Sequence, residues 1–185
     1  MRLLFGLGNP GREYGWTRHN LGFLVIDNLA FQHKIELSKL CFQAVIGEGM
    51  IDQERIVLVK PLTFVNRSGI SLVQILNSYG LDPVDIVVIS DDINLQPGQL
   101  RISRSGSDGG HRGLRSIIES LGTEEFPRLR IGVGMPGGEK ELVDYVLSEF
   151  REREWKIIEQ AIERAIQALG VIVVGGIDKA MREYN

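Results

Sequence analysis

The chain has 185 residues, of which 43% are apolar and 24% charged. That composition excludes a disordered chain and suits one domain spanning residues 1–185. The net charge of −3 excludes a uniformly basic nucleic-acid binder, although local patches also set the field. The single cysteine, Cys41, excludes an internal disulfide and a cysteine-based zinc site, and within LCFQAVI it reads as a small buried hydrophobe. The opening MRLLFGLG is too short and too broken by glycine for a signal peptide. No run approaches the ~18 apolar residues of a membrane span, so a soluble, cytoplasmic protein with no membrane partner is expected.

Taken in order, Arg2–Leu7 reads as a buried strand that stops at Gly6 and Gly8, and Asn20–His33 as an apolar helix. Phe42–Met50 and Arg55–Val59 read as two strands joined by the polar turn Asp52-Gln53-Glu54. Ser68–Tyr79 carries helical spacing through Ile70, Val73, Ile75 and Leu76, and Ser68 is a candidate cap. Asp85–Ile89 is a compact apolar strand, Leu100–Ser103 a further candidate, Gly113–Leu121 a helix, and Leu129–Gly134 an alternating strand. Glu149–Leu169 lines up Ile157, Ile158, Ala161, Ile162, Ala165, Ile166 and Leu169 as the face of a surface helix. The tail VIVVGGIDKAMREYN fits either a short strand or a helix broken at Gly175-Gly176. Strands alternating with helices, plus one hairpin, predict an α/β single domain: a twisted mixed β-sheet flanked by helices on both faces.

Gly6-Leu7-Gly8-Asn9-Pro10-Gly11 matches G-x-G-x-x-G after a strand. A dinucleotide site needs its helix to begin at the glycines. Here Pro10 and the polar stretch REYGWTRHN intervene, and no acidic residue closes a second strand about 20 residues on. The segment is instead a long connection of the kind that often carries function. It ends at His19-Asn20, with Asn20 as candidate N-cap. His19 reads as a candidate base or, as lone histidines more often are, a structural residue. His33 reads as solvated, whereas His111 sits in a Gly-rich loop suited to a phosphate.

Asp91-Asp92-Ile93-Asn94 follows the Asp85–Ile89 strand, at the kind of strand end where ligands gather in α/β sheets. Three readings stay open: a carboxylate orienting an imidazole, a hard-cation site of Asp91, Asp92 and Asn94, or a turn with a helix cap. Phe64 and Asn66 offer an aromatic face beside a carboxamide, suited to a stacked base or sugar, and equally to a core and a turn. Ser105–Gly113 leads into a helix, and its backbone N–H groups favour an anion. Arg101–Arg130 holds six Arg against four acids, a net +2 with −5 left elsewhere, so nucleic-acid contact is expected there.

GLGNPGREYGWTRHNLGF, KPLTFVNRSG, the Asp91-Asp92 pair followed by Asn94-Leu95-Gln96-Pro97-Gly98, GSDGGHRGLRSI, FPRLRIGVGMP and AMREYN occur in that order. As an ordered set they resemble bacterial-type peptidyl-tRNA hydrolase over nearly the whole chain. The resemblance implies hydrolysis of the ester joining a peptide to the 3′ end of tRNA, recycling tRNA from abortive translation. No cofactor and no metal are implied, and a monomer is expected. By likeness, His19 is the general base, Asp91 holds its imidazole, and Asn9 and Asn66 supply carboxamides near the ester and the first peptide carbonyl. Tyr14 and Phe64 line the cleft, and Arg130 with Arg101 or Arg104 clamps acceptor-stem phosphates. The alternative is a non-catalytic RNA-binding, splicing-factor-like relative, which intact His19, Asp91, Asn9 and Asn66 weigh against. The chain departs from the family's usual residues at Arg112 (Asn), Asn94 (Asp), Val65 (Met) and Ser103 (often basic). Arg112 is still expected at the substrate, since it donates hydrogen bonds or meets a phosphate.

Overall fold

The structure, a computed structural model, describes residues 1–136 and 142–185. Its strands are β1 (Arg2–Gly6), β2 (Lys39–Cys41), β3 (Ala44–Ile51), β4 (Glu54–Pro61), β5 (Ile86–Asp92), β6 (Leu100–Ser103) and β7 (Arg128–Gly132). They form one sheet in the order β2-β3-β4-β1-β5-β7-β6. The four central strands, β4-β1-β5-β7, are mutually parallel, while β2, β3 and β6 run antiparallel to their neighbours. The helices are α1 (Leu21–Gln32), α2 (Ser68–Tyr79), α3 (Arg112–Leu121), α4 (Leu142–Val146), α5 (Glu152–Gly175) and α6 (Ile177–Tyr184). None is long and apolar enough to cross a membrane. The expected mixed sheet with helices on both faces is what forms.

Residue alternation on the central strands sets the two faces. Leu4, Leu58, Val87 and Ile89 pack with α1, α5 and α6. Leu3, Phe5, Val57, Val59 and Val88 pack with Leu72 and Ile75 of α2 and Leu114 and Ile117 of α3. At the β7–β6 edge, Leu100 and Ile102 join the first face beside Leu129 and Ile131. That leaves Arg101 and its register partner Arg130 together on the other.

Several expectations change. β5 runs on to Asp92 and is buried throughout, so the acidic pair closes the strand instead of following it. Strand β2 has no sequence signal: its link to β3 places Phe42 and Gln43 at φ 54° and 55°, a two-residue hairpin without the usual Asn or Gly. The tail is helix, because Leu169, Ile172 and Val173 continue the buried stripe of α5, and Gly176 at φ 84° separates it from α6. Cys41 is free and half-buried.

Gly6 and Gly22 decide where the N-terminus of α1 docks. A Cβ on Gly22 would lie 2.5 Å from the carbonyl oxygens of Leu7 and Ile89, and one on Gly6 would lie 2.7 Å from the Gly22 carbonyl carbon. Helix and strand therefore meet backbone to backbone. Of the G-x-G-x-x-G glycines, Gly6 serves this contact, Gly8 makes room for the Phe23 ring of α1, and Gly11 lies at the Glu13 side chain.

Candidate active site

Connections leaving the carboxyl ends of β1, β4 and β5 converge on one side of the sheet, as is usual for ligand crevices in α/β folds. They enclose a cleft of about 340 Å³ lined by Asn9, Tyr14, His19, Phe64, Asn66, Asp91, His111, Arg112 and Arg130, among others. Its far wall is apolar and comes from Leu142, Val143, Val146 and Leu147 of α4 and its exit.

His19 sits in a buried single-turn 3-10 helix, Arg18–Asn20, directly before α1. Its Nδ1 lies 2.9 Å from Asp91 Oδ1. The same oxygen is 3.0 Å from His111 Nε2. The other nitrogen of His111 fixes the proton count. Nδ1 accepts the N–H groups of Gly113 (3.0 Å) and Leu114 (3.3 Å) as the N-cap of α3. Nδ1 therefore carries no proton, and the Nε2 proton is donated to Asp91. His19 donates its Nδ1–H to the same oxygen, which leaves Nε2 as a lone-pair nitrogen with no partner among the described residues.

Electrostatics agree with this arrangement. Burial alone would raise the Asp91 carboxyl, but His19 and His111 hold it far below the ordinary carboxylate range. Burial alone would lower the His19 imidazole, and Arg112 pushes the same way, yet the Asp91 charge and hydrogen bond leave it raised above 6.5.

Asn9 is buried and held from two sides. Asn20 accepts the Asn9 N–H at 2.8 Å and donates to its carbonyl at 2.9 Å. Asn9 Oδ1 accepts Val65 N–H at 2.9 Å, so the side-chain NH2 is the end left for a ligand. Asn20 spends its side chain on this clamp, so it makes no side-chain cap for α1. Ser68 does not cap α2 either: it is the first helical residue, and its hydroxyl donates to Val65 O.

Neither carboxylate matches the hard-cation reading. Asp91 is taken by the two imidazoles, while Asp92 accepts Asn94 N–H at 2.8 Å and Arg130 Nη1 at 2.8 Å. His19, Asp91 and His111 do offer ligand atoms within 4.8 Å of one another. An ion there would have to displace the Nε2 proton of His111 while its Nδ1 still accepts two amides. That demands an imidazolate, so hydrogen bonding fits these donors better.

The anion site expected at the start of α3 is likewise filled from within, by His111. The Gly-rich loop before it is held by Arg128, a fully buried side chain that donates to Ser107 O at 2.9 Å and Glu124 O at 3.0 Å. Of the expected phosphate contacts, Arg130 lines the cleft and Arg101 stands beside it in register. Arg104 is exposed and pairs with Asp178 on α6. Residue types alone did not show His111 as a cap and carboxylate partner; its place immediately before a helix was the available signal. Nothing local pointed to the α4 wall.

The fold and site define an α/β protein with a carboxylate-held imidazole facing a cleft rimmed by carboxamides and arginines. The family model described as peptidyl-tRNA hydrolase matches residues 3–185, and the chain belongs to that family. It is 46% identical to a peptidyl-tRNA hydrolase of Syntrophomonas wolfei and 48% identical to one of Thermoanaerobacter pseudethanolicus, each over the full length of both chains. A crystal structure of peptidyl-tRNA hydrolase from Acinetobacter baumannii superposes with a TM-score of 0.95 at 36% identity, covering all of this chain and 94% of that one.

Proposed function

We propose that the chain hydrolyses the ester between a peptide, or any N-blocked aminoacyl group, and the 3′ end of tRNA, with His19 as general base. The observation that carries this is the His19 Nδ1–Asp91 contact of 2.9 Å, which commits one ring nitrogen and leaves Nε2 for water. Water attacks the ester carbonyl carbon as His19 Nε2 takes its proton. The tetrahedral intermediate then expels the ribose 3′ oxygen, which receives that proton from the imidazolium. The NH2 of Asn9 is the donor for the developing oxyanion. Asn66 and Arg112, both exposed on the cleft rim, supply donors to the peptide carbonyl and to the terminal nucleotide. Tyr14 and Phe64 give that nucleotide its aromatic surfaces.

Arg101 and Arg130 face each other across adjacent strands. Arg130 is held by Asp92 at 2.8 Å, so the exposed Arg101 beside it brings the uncompensated charge, and the pair suits a phosphate of the acceptor stem. In this reading the enzyme works in the cytoplasm as a monomer and without a metal. The test is release of N-acetyl-amino acid from N-acetyl-aminoacyl-tRNA, beside aminoacyl-tRNA with a free amine and a His19→Ala control. Turnover of the blocked substrate that survives chelation and is lost in His19→Ala is expected. Tight tRNA binding with no turnover would favour the non-catalytic RNA-binding relative instead.

A further inference from the structure

Arg18 precedes the base in sequence and is buried, yet the reaction above does not use it. Its guanidinium points wholly toward one segment. Nη1 donates to Ser148 O (3.1 Å), Ser148 Oγ (2.9 Å) and Glu149 O (2.6 Å). Nη2 donates to both carboxylate oxygens of Glu154, at 2.7 and 2.8 Å. The guanidinium carbon lies 4.4 Å from the ring centroid of Tyr145 and 4.9 Å from that of Phe150. The backbone adds Arg18 N–H to Ser148 O at 3.1 Å and an antiparallel bridge between Thr17 and Glu149. All of these contacts end on residues 145–154, the last turn of α4 and the start of α5.

Helix α4 has five residues and buries none of them. A helix that short is not stable alone, and its packing on the core comes from the half-buried Tyr145. Among the described residues the hydrogen bond that holds this side chain is from its hydroxyl to Val133 O at 2.7 Å, and the Arg18 guanidinium lies over its ring. Yet α4 and its exit provide the apolar wall of the cleft. One side chain therefore links the turn that carries His19 to the wall on the far side, with Nη1 on Ser148 and Glu149 and Nη2 on the Glu154 carboxylate, a division between two nitrogens that a single ammonium does not reproduce.

We propose that Arg18, clasped by Glu154, is a positioning residue for this reaction: it holds the α4 wall at a fixed distance from the His19 turn. It thereby sets how the substrate is seated and leaves proton transfer at His19 unchanged. The inference rests on the ester-hydrolase reading above, which fails separately if the unaltered chain shows no turnover.

The test is steady-state hydrolysis of N-acetyl-aminoacyl-tRNA by full-length Glu154→Gln and Arg18→Lys, with pH profiles and thermal melts. Glu154 also accepts Arg151 N–H at 2.8 Å as the cap of α5. Glutamine serves that cap equally well, so the variant weakens the clasp and spares the helix start. The expected result is KM raised roughly five- to twentyfold, kcat within about threefold, and an unmoved acid limb. Arg18→Lys keeps the charge but not the fork, and raises KM at least as far. An unchanged KM in Glu154→Gln, or an acid limb that moves with the substitution, overturns the proposal. Should Arg18→Lys fail to fold, the half-buried Glu154 decides alone.

Discussion

His19 and His111 donate to the same carboxylate oxygen, Asp91 Oδ1, at 2.9 and 3.0 Å, with their ring centroids 4.7 Å apart. Both rings are thereby oriented from one point, and only His19 keeps a lone pair facing the cleft. In Asp91→Asn the carboxamide can donate as well as accept, so His19 can settle in the tautomer with its proton on Nε2. A fall in kcat of about 10²–10⁴-fold is expected, comparable to losing the base. Measured kcat near that of the parent chain would remove the assigned role of Asp91.

The pH profile follows from the direction of the His19 shift. As the proposed base, His19 works only when neutral, and its pKa is raised above 6.5. The acid limb of kcat/KM therefore has its midpoint above 6.5, with activity rising as pH rises through it. Arg112 opposes the Asp91 charge, so Arg112→Gln moves the limb to higher pH. For stability the sign is the reverse. The His19–Asp91 ion pair stabilises the fold fully below pH 6.5, and its contribution fades as pH climbs through the raised value. Stopped assays across pH 5 to 9 and melts over the same range separate the two effects.

His111 does two jobs that substitution can part. His111→Ala removes the cap of α3 and the second donor to Asp91. It is expected to destabilise by about 1 kcal/mol and to lower kcat. His111→Asn keeps a good N-cap residue but is too short to span to Asp91. Its melting temperature is expected near that of the parent chain, with kcat still reduced. Equal melting losses in the two variants would show that capping is not what the imidazole contributes.

Sequence periodicity revealed every strand but β2, the long helices and the mixed sheet because each buries a regular stripe, as in Leu3–Phe5 and Ile158–Leu169. The His19–Asp91 pair was legible through an ordered set of motifs. What stayed hidden depends on pairings without local pattern. Arg18 and Glu154 are 136 positions apart. Asn20 looked like a cap because its residue type suits one, but the backbone of Asn9 took its carboxamide. The amides of α3 looked ready for an anion because the sequence does not say that His111 turns back onto them. Helix α4 escaped because five residues without a buried face leave no period to read.

Binding of tRNA tests the arginine pair through its salt dependence. Arg101→Ala should weaken binding and reduce the slope of log K against log salt by about 0.7–1, as expected when one phosphate is no longer neutralised. Arg104→Ala should change the slope less, because Asp178 already offsets that charge. Titrations of tRNA at four or five salt concentrations distinguish the two.

Gly22 carries the position of His19. A methyl group there would meet the carbonyl oxygens of Leu7 and Ile89 at 2.5 Å. Both belong to the central sheet region, whose backbone cannot yield as a side-chain tip would. Helix α1 must move outward instead, taking with it His19, three residues earlier. Asp91 stays behind in β5, between β1 and β7. Overpacking of this kind costs about 1–3 kcal/mol, and a shift of about 1 Å at a catalytic group can cost ~10²-fold in rate. Gly22→Ala is therefore expected to lose kcat out of proportion to its loss of stability, while still binding tRNA through Arg101 and Arg130. Activity per folded molecule equal to the parent would mean that the sheet absorbs the methyl group without displacing His19.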